Sequence, residues 1–235
     1  MRERLPLLGG LALLAIAFVI GSIFIGHGIR DKNRNDVISV TGSAKKRITS
    51  DYVVWSFSVT SEQSSAQDAA QELAGWTAKI RSFLTGAGLT GRELSVDPIS
   101  TETVSRKGRV ASFRLTRGFE IRSPRVGAVT GIADRSAALL GQGIPVQANP
   151  LQYVYTKLTS LRPQLLAEAT RDARSRARVI VEATGSHLGK LRRVSVGVFQ
   201  VTSPNSTEVQ DYGVYDTSTL EKDVTAVVNV TFSLK

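Results

Sequence analysis

Apolar residues follow three patterns along the chain. They are nearly continuous from Leu5 to Ile29, then recur either at every second position or at every third and fourth. Val37-Ile38-Ser39-Val40 predicts a strand that Thr41-Gly42-Ser43 interrupts. Val53, Trp55, Phe57 and Val59 alternate with small or polar neighbours, as in a half-buried strand. A helix follows, with Ser65 as its cap and Asp68 three residues on. Ala66, Ala69, Leu73, Trp76, Ile80 and Phe83 form its apolar stripe, and Gly86 and Gly88 end it. Trp55 and Trp76 both fall on apolar periodicities and are expected in the core. Strands are expected over 94–104 and 110–121, joined by the turn Arg106-Lys107-Gly108-Arg109, with Pro98 marking an edge or a bulge. Phe113, Leu115, Phe119 and Ile121 share one face of the second.

A shorter helix is predicted over 125–140, with Val129, Ile132, Ala133, Ser136, Leu139 and Leu140 inward. Leu151, Tyr153 and Tyr155 predict a strand. A long helix then starts at Ser160, with Pro163 in its first turn and Leu166, Ala169, Ala173, Ala177 and Ile180 on one side. Gly185 stands at the left-handed cap position. Val194, Val196 and Val198 open another strand, and Val224, Ala226, Val228, Val230, Phe232 and Leu234 alternate in the last. The order β-β-α-β-β-α-β-α-β-β predicts an α+β fold of mixed or antiparallel sheets packed with long helices. One N-terminal transmembrane helix precedes it. Residues 1–36 read as anchor and short linker, and 37–235 as one domain.

The leading segment carries thirteen Leu, Ile, Phe or Val residues between Leu5 and Ile25, and no Asp, Glu, Lys or Arg from Leu5 to Ile29. As a helix, Leu5–Ile29 spans about 37 Å, more than a hydrocarbon core of about 30 Å. Those thirteen residues favour insertion by roughly 4–8 kcal/mol. The segment reads as an uncleaved signal anchor. Cleavage after Ala15-Ile16-Ala17 is the alternative, although it would leave an apolar new terminus. Arg2 and Arg4 before the span against Arg30, Lys32 and Arg34 after it slightly favour a cytoplasmic domain.

Composition narrows the chemistry. With no Cys, the chain has no disulfides, Cys-based metal centres or thiol nucleophiles, and two histidines leave little for a His-based site. No cofactor is expected. Beyond Asp36 there are 25 Lys and Arg against 17 Asp and Glu. Such an excess suits nucleic acid, an anionic lipid surface or an acidic partner. No run of five like charges occurs, Lys45-Lys46-Arg47 reads as a polar hairpin end, and no nucleic-acid partner is expected. Ser43-Ala44-Lys45-Lys46 has S-x-x-K spacing but lies between strands rather than at a helix start, and its companion motifs are missing. Gly185-Ser186-His187-Leu188-Gly189-Lys190 is one residue short of a phosphate loop and follows a helix. Glu102, Glu120 and Glu168 are far apart in sequence.

Two surfaces remain as candidate sites. Arg171, Arg174 and Arg178 project from one side of the long helix and can grip an anion or a partner. Potential Asp172–Arg176 and Arg178–Glu182 pairs make a solvated or interface face the ordinary alternative. The polar stretch Ser203 to Lys222 is too long for a simple hairpin. Its Tyr212 and Tyr215 can make it a partner loop, against simple mobility.

Val40-Thr41-Gly42-Ser43-Ala44 and the segment from Asp51 to Val59 resemble the opening of the SIMPL-domain family. Leu166-Ala167-Glu168-Ala169, Ala173, Arg176-Ala177, Ala183, Gly185 and Leu188-Gly189-Lys190-Leu191 resemble its best signature, and the terminal strand Val224–Leu234 agrees. Ser50-Asp51 departs from the usual Pro-Asp start of the second strand. The resemblance spans about 37–235. It implies a bacterial envelope protein exported to the periplasm, with ring-like or channel-like homo-oligomers in some members and links to oxidative-stress defence or immunogenic antigens in others. It implies no established enzymatic residues. Export favours a periplasmic domain over the charge count.

The expectation is a non-enzymatic, single-pass inner-membrane protein that is held through Leu5 to Ile29 and assembles with copies of itself. A periplasmic binding module for an anionic ligand or partner protein is the alternative, and a hydrolase acting through Ser43 a third. With the single Met at position 1 and no Cys, there is almost no sulfur to oxidise, so protection against oxidants would be indirect.

Overall fold

Why the alternating segments become strands is visible in the element order of the computed structural model, which describes residues 36–207 and 210–235. The elements are β1 (Val37–Thr49), β2 (Tyr52–Gln63), α1 (Ala66–Gly86), β3 (Leu94–Val96), β4 (Ser100–Arg106), β5 (Arg109–Ser123), α2 (Val126–Arg135), α3 (Ala137–Gly141), β6 (Val146–Ala148), β7 (Gln152–Val154), α4 (Leu158–Ala183), β8 (Leu188–Val196), β9 (Gln200–Thr202) and β10 (Glu221–Leu234). The fold is α+β with antiparallel strand pairing. The expected membrane span Leu5–Ile29 lies outside the described residues. Among those described, no helix is long and apolar enough to cross a membrane.

The chain divides into two compact units. The described part of unit 1 is 36–43, 168–197 and 227–235; unit 2 holds 44–167 and 198–226. In unit 2 a sheet of order β3-β5-β2-β6 has β4 also paired to β5 and β7 to β2. β2 and β5 pair along their length, Val53 opposite Ser123 through Gln63 opposite Phe113. Val53, Trp55, Phe57 and Val59 therefore point with Phe119 and Ile121 into one buried layer. Phe57 stacks on Phe119 at 5.0 Å between centroids, and Trp55 lies 4.7 Å from Phe57.

Helix α1 covers this layer with Ala69, Leu73, Thr77, Ile80 and Leu84. Ser65 caps it as expected, its hydroxyl accepting from the N–H groups of Gln67 and Asp68. Fully burying each large aliphatic or aromatic residue here contributes roughly 1.5–3 kcal/mol. Trp76 is only half-buried against the same core. A smaller core in unit 2 joins Ile48, Leu161, Leu165, Val201, Val224 and Ala226.

Several elements differ from the pattern expected of the sequence. β1 runs unbroken through Thr41-Gly42-Ser43, so Lys45-Lys46-Arg47 lies within a strand rather than at a hairpin end. The region 94–104 is two strands, divided at Asp97-Pro98-Ile99, because proline has no N–H to give to β5. The β4–β5 turn is Lys107-Gly108, both at positive φ. The helix expected over 125–140 breaks at Ser136, and Leu140 is exposed. β6 is an additional strand, too short between Pro145 and Pro150 to leave a period. α4 starts at Leu158, placing Pro163 within the helix. Its buried stripe is Leu161, Leu165, Ala169, Ala173, Ala177 and Val181, one position off Leu166 and Ile180.

Candidate functional site

Unit 1 is built from the start of β1, the end of β10, β8 and the second half of α4. Its strand order is β1-β10-β8. Register fixes the faces. Val228 and Val230 lie opposite Val196 and Val194, while Asn229 and Thr231 lie opposite Ser195 and Arg193. Ser39 bonds to Thr231 at 2.6 Å and Asn229 donates to Thr41 at 3.2 Å, so these residues share the polar face. Val40, Gly42, Val228, Val230 and Phe232 therefore form the other face, and it is buried.

α4 covers that face at very short range. A Cβ at Gly42 would stand 2.6 Å from the Ala173 Cβ, and nearer still to the Ala169 carbonyl oxygen and the Ala173 nitrogen. The contact also positions Asp172, whose carboxylate accepts from the Ser43 N–H at 2.8 Å and pairs with Arg176 at 2.9 Å. The Ser43 N–H, and then Arg176, hold Asp172 below its ordinary pKa.

Because an α-helix turns about 100° per residue, Asp172 defines the β1 side of α4. Val179, two turns on, lies on that same side. Arg174, Arg178 and Arg171 lie roughly 200°, 240° and 260° around from Asp172, on the flank toward β8. Arg171, Arg174 and Arg178 share this flank, and all three are exposed. Among the described residues, the expected Arg178–Glu182 pair is not formed.

The column of β8 beneath this flank is the unexpected feature. Leu191, Val194 and Val196 share the inward face with Val228, Val230 and Phe232, yet are 54 %, 44 % and 53 % exposed. The helix covers two of the three strands. On the other flank of α4, Val179 and Ile180 are 65 % and 50 % exposed. Beside the start of β1, Lys190, Arg192 and Lys235 line a cavity of about 590 Å³ with Asp36, Ser233 and Leu234.

Unit 2 supplies other polar groups. Asp223, nearly buried, accepts from Arg47 at 3.0 Å and from the Asn205 N–H at 3.0 Å, with Lys45 at 3.7 Å. The Arg47 hydrogen bond foremost holds its carboxyl low. Lys46 donates to Gln164. The basic run is thus consumed by local pairing.

Lys222 is fully buried, its ammonium donating to Asp216 at 3.3 Å and to the Thr219 carbonyl. Burial lowers the Lys222 pKa against the pull of Asp216. Burial would raise Asp216, but hydrogen bonds from Ser218 and Thr219, together with Lys222, bring it well below the carboxylate range.

The proposed partner loop separates its two tyrosines. Tyr212 is 98 % exposed. The Tyr215 hydroxyl accepts from the Tyr155 N–H at 3.2 Å and donates to its carbonyl at 3.3 Å. The loop is fastened further by Val201 N–H to Val214 and Asp216 N–H to Val201.

A polar cleft of about 390 Å³ lies over Ser56, Ser58, Asp97, Gly118, Glu120, Gln147 and Asn149. Ser56 accepts from the Asn149 amide at 3.0 Å, and Glu120 is paired with Arg122. The lining holds no His or Lys; its titratable groups are the carboxyls of Asp97 and Glu120. Among the described residues, no three His, Asp or Glu side chains are placed to hold a metal.

No curated protein matches the chain. A family model described as SIMPL, a protein of unknown function (DUF541), matches residues 38–232. That span takes in the crossing of Gly42 under α4, the Ala169–Ala173–Ala177 stripe, β8 and nearly all of β10, and the chain belongs to the SIMPL family.

Proposed function

We propose that this is a non-enzymatic envelope protein, held by Leu5–Ile29 as a single-pass anchor in the bacterial inner membrane, with its domain in the periplasm and copies associating through unit 1. The observation that supports association is where the exposed apolar side chains fall. Val179 and Ile180 are exposed side by side on the β1-side flank of α4. Exposed apolar groups clustered in this way mark contact surfaces. Of the charges on that side of α4, Asp172 and Arg176 are paired with each other, which leaves Val179 and Ile180 to meet an identical flank. The role is structural, and any part in stress defence is indirect.

The absence of cysteine makes a direct test simple. Val179→Cys, the sole thiol of the full chain, should give a dimer-sized product on mild oxidation in membranes. Ser39→Cys, on the polar face, should not. Equal cross-linking at both positions, or at neither, contradicts the reading.

The arginine row favours a second reading, a module that binds an anionic ligand or partner. Its support is the placement of Arg171, Arg174 and Arg178 together on the opposite flank of α4 from Val179.

A further inference from the structure

We propose that the β8-side flank of unit 1 docks on the surface of an anionic phospholipid bilayer, with Leu191, Val194 and Val196 entering the headgroup region and Arg174 and Arg178 meeting lipid phosphates. This rests on the tethered reading above and names the partner of the cationic flank.

Three observations select a bilayer as the occupant. First, the flank combines an uncovered apolar column with cations, the pairing that holds interfacial segments on anionic lipid. Lys190 and Arg192 extend the cations along β8 toward its start.

Second, the tether ends beside it. Six residues separate Ile29 from Asp36 and span at most about 21 Å. The Asp36 carbonyl accepts from the Leu234 N–H, while His187 and Lys235 exchange backbone hydrogen bonds. The start of β1, the end of β10 and the start of β8 therefore lie at one end of the sheet, within the tether's reach of a membrane surface.

Third, a second copy fits this flank poorly. The edge of β8 carries Lys190, Arg192 and Arg193 and a register shift near Leu191, features that discourage strand addition.

The test uses the full-length, cysteine-free chain in lipid nanodiscs. Val194→Cys bears an environment-sensitive fluorophore, and Ser195→Cys, on the opposite face, is the control. In discs rich in phosphatidylglycerol, the Val194 probe should brighten, shift to the blue and become shielded from aqueous iodide. In phosphatidylcholine discs it should stay wet, and the Ser195 probe should stay wet in both.

Arg174→Glu with Arg178→Glu should lower the docked-to-free ratio by at least about 25-fold, at roughly fivefold per cation. Raised salt should have the same direction of effect. Identical Val194 emission in both lipids overturns the docking while leaving the tether intact. A signal that instead follows the number of copies per disc overturns it in favour of self-contact. A chain that enters neither kind of disc overturns the tether and the docking together.

Discussion

Gly42→Ala adds one methyl group where α4 crosses β1. Its Cβ would lie 2.6 Å from the Ala173 Cβ and closer to the Ala169 carbonyl oxygen and the Ala173 nitrogen. Those last two atoms are the acceptor and donor that an α-helix joins from i to i−4. The obstruction is therefore helix backbone rather than a side chain that can rotate away. Overpacking a core costs typically 1–3 kcal/mol, and immovable neighbours place this case at about 3 kcal/mol or more.

At about 2–4 °C per kcal/mol for a chain of this size, Gly42→Ala should melt about 6–12 °C below the parent. The assay is thermal unfolding of the full chain in mild detergent. Gly131→Ala in the middle of α2, where a Cβ meets nothing within 4 Å, is the contrasting case and should gain about 0.5–1 kcal/mol. Adding Ala173→Gly to Gly42→Ala should restore only part of the loss, because the backbone atoms remain. Melting of Gly42→Ala within about 2 °C of the parent, or full rescue by Ala173→Gly, would refute the close crossing.

Three further outcomes follow from the polar interior. Asp216→Ala strands a buried ammonium and should cost about 3–5 kcal/mol, whereas Lys222→Met, which leaves Asp216 bonded to Ser218 and Thr219, should cost clearly less in the same melts. Glu93 is held below the ordinary carboxylate range, foremost by Arg125, then by Ser123 and Thr90. Its contribution is present above the ordinary glutamate pKa and lost as pH falls through the lower folded value, so Glu93→Gln should flatten the acid limb of melting temperature against pH. An unchanged acid limb contradicts that assignment. Ser65→Ala removes the cap of α1 and should cost about 1 kcal/mol; no change in melting would contradict the cap.

Local period and local chemistry made much of this fold legible. β2 alternates because one face is buried, so Val53 to Val59 could be read directly, and Ser65 sits next to the N–H groups it caps. Errors arose where two adjacent apolar residues offered two registers, as with Leu165-Leu166 and Ile180-Val181 on α4. Gly42 resembles a strand breaker until its partner helix, well over a hundred residues later, is in place.

The same distance hid the use of Lys45 and Arg47, whose acceptor Asp223 comes near the end of the chain. The arginine row was legible because its spacing is helical. The open column on β8 was not: Val194 and Val196 have the pattern of a core strand, and only the reach of α4 determines that they are left uncovered.

The central claim is a non-catalytic chain that associates with its own copies through unit 1. Its most direct measurement is the mass of the full-length protein in detergent across a range of concentrations. The expected mass is a discrete multiple of the 25.3 kDa chain that falls to the single chain in Val179→Glu with Ile180→Glu. A parent protein that stays at one chain mass at every concentration would contradict it.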